Sequence, residues 1–120
     1  QGMIEPYTDL ANANLSMNVN LSESNLRKTS FKNADLRNIN FERSNLEGAD
    51  FFEANLQGAN LKNTNLNSAH LSGATVEGAN LEGATMYHTL TWGLKYDKDT
   101  VLPKSLTEDQ RDLMKFVKSN

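Results

Sequence analysis

VNLSE (19–23), SNLRK (24–28), TSFKN (29–33), ADLRN (34–38), INFER (39–43), SNLEG (44–48), ADFFE (49–53), ANLQG (54–58), ANLKN (59–63), TNLNS (64–68), AHLSG (69–73), ATVEG (74–78), ANLEG (79–83) and ATMYH (84–88) follow one another without an insertion. TDLAN (8–12) and ANLSM (13–17) precede them, and the single residue Asn18 shifts the phase between the two groups. The chain thus holds sixteen units of five residues. A helix turns about 100° per residue, so a leucine every fifth position would scatter around it without forming a stripe. A flat strand alternates every second residue, so an odd period would send successive leucines to opposite faces. A short extended segment followed by a corner that resets the alternation satisfies the pattern. Each unit then turns its centre residue and the residue two before it inward.

Composition follows that division. The centre is Leu or Phe in fourteen of sixteen units, the exceptions being Val76 and Met86, which suits a buried column. The position two before it is always Ala, Ser, Thr, Val or Ile, which suits a narrow interior. The residue just before the centre is Asn or Asp in twelve of sixteen, and such side chains bond nearby backbone at turns. The last residue is Gly or Asn in nine of sixteen, which are the residues that most readily take positive φ at a corner.

Four such units per coil would stack residues n and n+20 at about 4.8 Å, the spacing of paired strands. The charged pairs Glu23/Arg43, Arg27/Glu47, Glu42/Lys62 and Lys62/Glu82 are all of opposite sign, as stacked neighbours should be. On this register the predicted core columns are Leu21/Phe41/Leu61/Leu81, Leu26/Leu46/Leu66/Met86, Phe31/Phe51/Leu71 and Leu36/Leu56/Val76. Ser24/Ser44/Thr64 form a hydroxyl ladder beside them, expected to bond backbone rather than to act in chemistry.

The A(N/D)LXX units over residues 8–88 resemble those of the pentapeptide-repeat proteins. The resemblance implies an all-β fold, a right-handed quadrilateral parallel β-helix of about four coils. The segment Tyr96–Pro103 resembles the one that closes small members of that family. Residues 1–7 are expected to cover the first coil. After His88 the period is lost, and residues 89–120 are expected to form a C-terminal capping loop and a short α-helical cap, a helix over about Ser105 to Lys118. A capping box is predicted from Ser105 with Glu108 or from Thr107 with Gln110, and Leu106, Gln110, Leu113, Met114 and Val117 would share one helix side. That helix would either fold onto the last coil or pair with its copy, giving a monomer or a dimer.

Net charge is −3 from 12 basic and 15 acidic residues, so no polyelectrolyte partner is implied. Without cysteine there is no disulfide or thiolate metal site. No apolar run approaches the ~18 residues of a membrane span. The expectation is a soluble protein, cytoplasmic, with export after loss of a leading segment as the other compartment, since the chain begins Gln1-Gly2 rather than with Met.

Catalysis finds no support. His70 and His88 lie at different coil positions with no third ligand, which argues against a metal. Glu47, Asp50, Glu53, Glu77 and Glu82 are spread over several sides of a convex rod, where paired carboxylates have no cleft. Neither cofactor nor small-molecule substrate is expected. Arg27, Lys28, Lys32, Arg37 and Arg43 form a basic zone without interleaved aromatics, so nucleic acid is not the expected partner. The expected activity is non-enzymatic: a scaffold or protein-interaction module whose partner is another protein. The side carrying Lys32, Phe52 and Ser72 is the predicted partner surface, because Phe52 is the large apolar residue at an outward flank inside the array. The family supplies an alternative, since some members bind DNA gyrase by imitating duplex DNA. Between Ser44 and His88 five acidic residues outnumber one lysine.

Overall fold

The computed structural model describes residues 4–118. Its backbone winds as a four-sided tube in which each side contributes one bridging residue per turn. Parallel bridges run Asn20–Asn40–Asn60–Asn80–Val101, Asn25–Asn45–Asn65–Thr85, Asp9–Ser30–Asp50–His70–Leu90 and Asn14–Asp35–Asn55–Thr75–Lys95. We call these the Asn20, Asn25, Ser30 and Asp35 sides. The offset is 20 residues except where an extra residue enters. Asp9 and Asn14 pair 21 residues on because Asn18, at φ 55°, is absorbed at a corner, and Asn80 pairs 21 residues on across the Lys98–Asp99 turn.

Each unit repeats one local design. The centre carbonyl accepts from the amide three residues on, as Phe31 does from Ala34 at 3.0 Å. The residue between, two after the centre, has φ between 54° and 75° in every unit from Glu23 to Gly93. A bonded turn with positive φ at its third residue is a type II turn, which explains the Gly and Asn at that place. The Asn or Asp before the centre accepts the amide two residues on, as Asn60 Oδ1 does from Lys62 at 3.0 Å and Asp50 Oδ1 from Phe52 at 2.9 Å. This side-chain turn satisfies a donor that the short side cannot pair otherwise.

The four centre columns fill the tube. Leu21, Leu26, Phe31, Leu36, Phe41, Leu46, Phe51, Leu56, Leu61, Leu66, Leu71, Val76, Leu81 and Met86 are all buried, at roughly 1.5–3 kcal/mol for each large side chain removed from water. Phe31 and Phe51 stack one rung apart at 5.1 Å, and Phe41 meets both edge-on at 5.4 and 6.0 Å. The hydroxyl ladder is satisfied internally: Ser44 Oγ donates to the Leu21 carbonyl at 2.6 Å and Thr64 Oγ1 to the Leu61 carbonyl at 2.9 Å. Two of the four stacked charge pairs form, Arg43–Glu23 at 3.3 Å and Arg27–Glu47 at 3.2 Å. The other two do not: Glu42 turns to Arg43 of its own unit at 3.0 Å and accepts Asn60 Nδ2 at 3.2 Å, and half-buried Lys62 forms no ion pair with Glu42 or Glu82.

At the start, Tyr7 donates its amide to the Arg27 carbonyl at 2.9 Å and Ile4 packs against the first coil. Residues 1–3 of the expected cover lie outside the described residues. At the other end the coil outlasts its sequence signature. TLTWG (89–93) winds as a further unit with Thr91 buried in the centre place and Gly93 at φ 72°. Strand β1 (Lys95–Tyr96) follows on the Asp35 side.

The expected helix over 105–118 is replaced by something shorter. Helix α1 spans Glu108–Asp112 alone, and strand β2 (Lys115–Phe116) pairs in parallel with β1. The tube edge outcompetes the helix for these backbone groups: Gly93 donates to the Leu113 carbonyl, Lys115 to that of Leu94 and Val117 to that of Tyr96, each at 2.8 Å. The shared helix face that would have supported a dimer is therefore absent; Leu106 and Met114 pack against the core while Leu113 is exposed. The final coil is thus Val101, a helical excursion through 103–112 in place of the Asn25-side segment, then Leu113 and β2.

Candidate interaction surface

The outward positions just after each centre form straight columns, because the amide one residue further on bonds their carbonyl from the rung below. On the Ser30 side Asn12 donates to the Lys32 carbonyl, Asn33 to Phe52, Glu53 to Ser72, Gly73 to Trp92 and Gly93 to Leu113, at 2.8–3.1 Å. Lys32, Phe52, Ser72, Trp92 and Leu113 therefore stand one above another, and Leu90 lies beside them above His70. The equivalent columns read Ser22, Glu42, Lys62, Glu82 on the Asn20 side, Arg27, Glu47, Asn67, Tyr87 on the Asn25 side and Arg37, Gln57, Glu77, Asp97 on the Asp35 side. The Ser30 side is the apolar one.

Of the three residues expected there, Lys32 is exposed, Phe52 is half-buried and Ser72 is buried. The Lys32 ammonium sits over the Phe52 ring, 5.5 Å from its centre, and the His70 ring lies tilted beside it with centres 5.4 Å apart. His70 Nδ1 is 3.5 Å from Asp50 Oδ1. Higher up, Trp92 is 69% exposed, Leu90 55% and Leu113 51%, which makes this end of the side apolar and wet at once. Ser72 is the low step between Phe52 and Trp92, which are two rungs or about 10 Å apart.

Trp92, Leu90 and Leu113 escaped the sequence reading. Thr91 stands where a Leu or Phe marks every lower Ser30-side unit, so the period looked finished. Gly93, a multiple of five residues beyond Gly73, Gly78 and Gly83, was the surviving signal. Leu113 is brought in by a backbone pairing that no local pattern encodes.

Charges assigned by rung position between residues 9 and 98 are mixed on every side. The Asn20 side has Glu23, Glu42 and Glu82 against Arg43 and Lys62, net −1; the Asn25 side Arg27 and Lys28 against Glu47, net +1. The Ser30 side has Asp9, Asp50 and Glu53 against Lys32, net −2; the Asp35 side Asp35, Glu77 and Asp97 against Arg37, Lys95 and Lys98, net 0. The Arg37 guanidinium forks onto Asp35 at 2.7 and 2.9 Å and holds its carboxyl below the usual carboxylate range. Among the described residues no group of three or more His, Asp or Glu converges as metal ligands, and no helix is long and apolar enough to cross a membrane.

Two sequence profiles, both of pentapeptide repeats, match the chain: one of 9 copies over residues 10–55 and one of 8 copies over residues 49–86. Among solved structures, the chain is similar to Rfr23, a pentapeptide repeat protein of the cyanobacterium Cyanothece 51142, with 38% identity and a TM-score of 0.43, covering 70% of this chain. It spans 60% of the length of Rfr23. A pentapeptide repeat protein of Nostoc PCC 7120 is 26% identical, with a TM-score of 0.44, covering 91% of this chain and 80% of that one. One from the Arabidopsis thaliana thylakoid lumen is 30% identical, with a TM-score of 0.40, covering 82% of this chain and 72% of that one. Among curated proteins no match is found. The five-residue repeat, with Gly or Asn at most corners and Asn or Asp before most centres, wound as a right-handed β-helical solenoid, makes this chain a member of the pentapeptide-repeat family.

Proposed function

We propose that this protein is a non-enzymatic interaction module whose recognition surface is the upper Ser30 side. The observation that carries the reading is the column Lys32–Phe52–Ser72–Trp92–Leu113, the one apolar column among four, held on a rigid wall. Flat, well-ordered aromatic side chains bind with little loss of conformational freedom, and Trp is the residue type most enriched where binding energy concentrates. The fitting partner is a protein surface that seats an apolar side chain over Ser72, between the Phe52 and Trp92 rings, with a carboxylate facing Lys32. Imitation of duplex DNA, the alternative, needs a continuous negative stripe; the most negative side carries net −2, interrupted by Lys32.

The test is an affinity pull-down with wild type and Trp92→Ser in parallel. The expected result is a partner retained by wild type and lost by the variant at unchanged melting temperature. A partner retained equally by both, or inhibition of gyrase supercoiling that survives Trp92→Ser, overturns the reading.

A further inference from the structure

On the Asn25 side each rung hands two backbone amides to the rung above. Leu26 and Lys28 donate to the Asn45 and Glu47 carbonyls, Leu46 and Gly48 to Asn65 and Asn67, and Leu66 and Ser68 to Thr85 and Tyr87, all at 2.8–2.9 Å. In the top rung the equivalent amides, those of Met86 and His88, have no acceptor among the described residues. At this level the other three sides are continued, by Val101 over Asn80, Leu113 over Gly93 and β2 over β1.

On the Asn25 side the chain swings away through the α1 excursion. It is moored without a backbone–backbone bond to the Asn25-side rung: Ser105 Oγ donates to the Ala84 carbonyl at 2.7 Å, Gln110 Nε2 to the carbonyls of Met86 at 2.7 Å and Thr89 at 3.2 Å, and Thr91 Oγ1 to the Gln110 carbonyl at 2.8 Å. A groove of about 570 Å³ is left between rung and excursion, lined by Thr85, Tyr87, His88, Leu90, Thr107 and Gln110. The edge carbonyls are used and the edge amides are not.

We propose that this empty rung position binds an extended segment of a partner protein by strand addition. Two amides two residues apart on one edge match two carbonyls, two residues apart, of an extended backbone; a helix has its carbonyls engaged internally. The same end of the tube already takes such a segment, since β2 adds in parallel onto β1 on the opposite side. An incoming strand in that sense presents its carbonyls to Met86 and His88 as Asn65 and Asn67 do to Leu46 and Gly48. Exposed Tyr87 and Leu90 flank it and supply apolar contact. The site adjoins the Ser30-side surface and shares Leu90 with it, but it uses none of Lys32, Phe52, Ser72, Trp92 or Leu113.

The experiment is a random decapeptide phage library panned against the intact chain, followed by amide hydrogen exchange by NMR with the best peptide. In the free protein the Met86 and His88 amides are expected to exchange at least tenfold faster than those of Leu66 and Ser68. With peptide bound they slow at least tenfold, while the Trp92 indole signal stays in place. Thr85→Trp, which fills the groove from an exposed position, weakens peptide binding at least tenfold at unchanged melting temperature. The proposal fails if both amides are already protected in the free chain, if the library yields no binder, if protection falls on other amides, or if Thr85→Trp leaves affinity unchanged.

Discussion

Gln110 is the strut between the excursion and the coil: its Nε2 donates to the Met86 carbonyl at 2.7 Å while its Oε1 accepts the Thr107 amide at 3.0 Å. One side chain thus closes the capping box of α1 and fastens α1 to the top rung. Gln110→Ala removes the strut bonds together. With a net ~1 kcal/mol for each of the bonds to the Met86 and Thr89 carbonyls and about 1 kcal/mol for the cap, a loss of about 3 kcal/mol is expected in urea denaturation. Gln110→Glu should cost more, because a carboxylate would face the Met86 and Thr89 carbonyls.

Leu56 lies fully buried between Leu36 and Val76 in its column. Leu56→Asp would place a carboxylate in the dry interior of the tube, and no folded protein is expected from its expression. Leu56→Ala should fold with a loss of about 2–5 kcal/mol. Parent-like melting of Leu56→Asp would contradict the inward assignment.

Corner chemistry predicts a gain as well as a loss. Ser68 holds φ 60° on an exposed corner, a conformation that strains a side chain. Ser68→Gly should raise stability by about 0.5–1 kcal/mol, measured by thermal unfolding. Gly58→Ala should lower it, because φ is 70° there and the added Cβ would meet the Asn38 side-chain oxygen.

Acid should loosen the upper Asp35 side through Asp97. Burial works against its ionisation, but the amides of Gly78 and Asp99, both at 3.0 Å, and the Thr100 hydroxyl at 3.1 Å outweigh it and hold its pKa below the ordinary carboxylate value. A carboxyl with a folded-state pKa lowered in this way contributes stability that is present above its unfolded value, about 3.9, and lost as pH falls through the folded one. Melting temperature should therefore fall on acidification below about pH 4, and Asp97→Ala should flatten that slope while lowering stability at neutral pH. An unchanged acid limb in the variant would remove Asp97 from the account.

Phe52→Ser differs from Trp92→Ser in what it should do to stability. Phe52 is half-buried beside Lys32 and His70, so its loss is expected to cost about 1 kcal/mol, whereas exposed Trp92 should be nearly silent in a melting curve. Both variants should lose the Ser30-side partner.

The five-residue rhythm by itself determined the tube, its four columns and the corner residues. Those are local facts: the alternation within one unit sets what points inward, and a Gly or Asn sets where φ turns positive. Phe52 and Lys32 were placed on one column from spacing alone. Only the tertiary structure decided what happens above His88. Thr91 holds a centre place without a large side chain because the wall below dictates its backbone, and Trp92 joins the column through the Gly73 amide. The stretch 113–117 carries residues that fit either a helix or a strand, and the unpaired edge at Gly93, Leu94 and Tyr96 selects the strand. A backbone edge that needs partners lies some twenty residues away in sequence, which is why no local pattern could announce it.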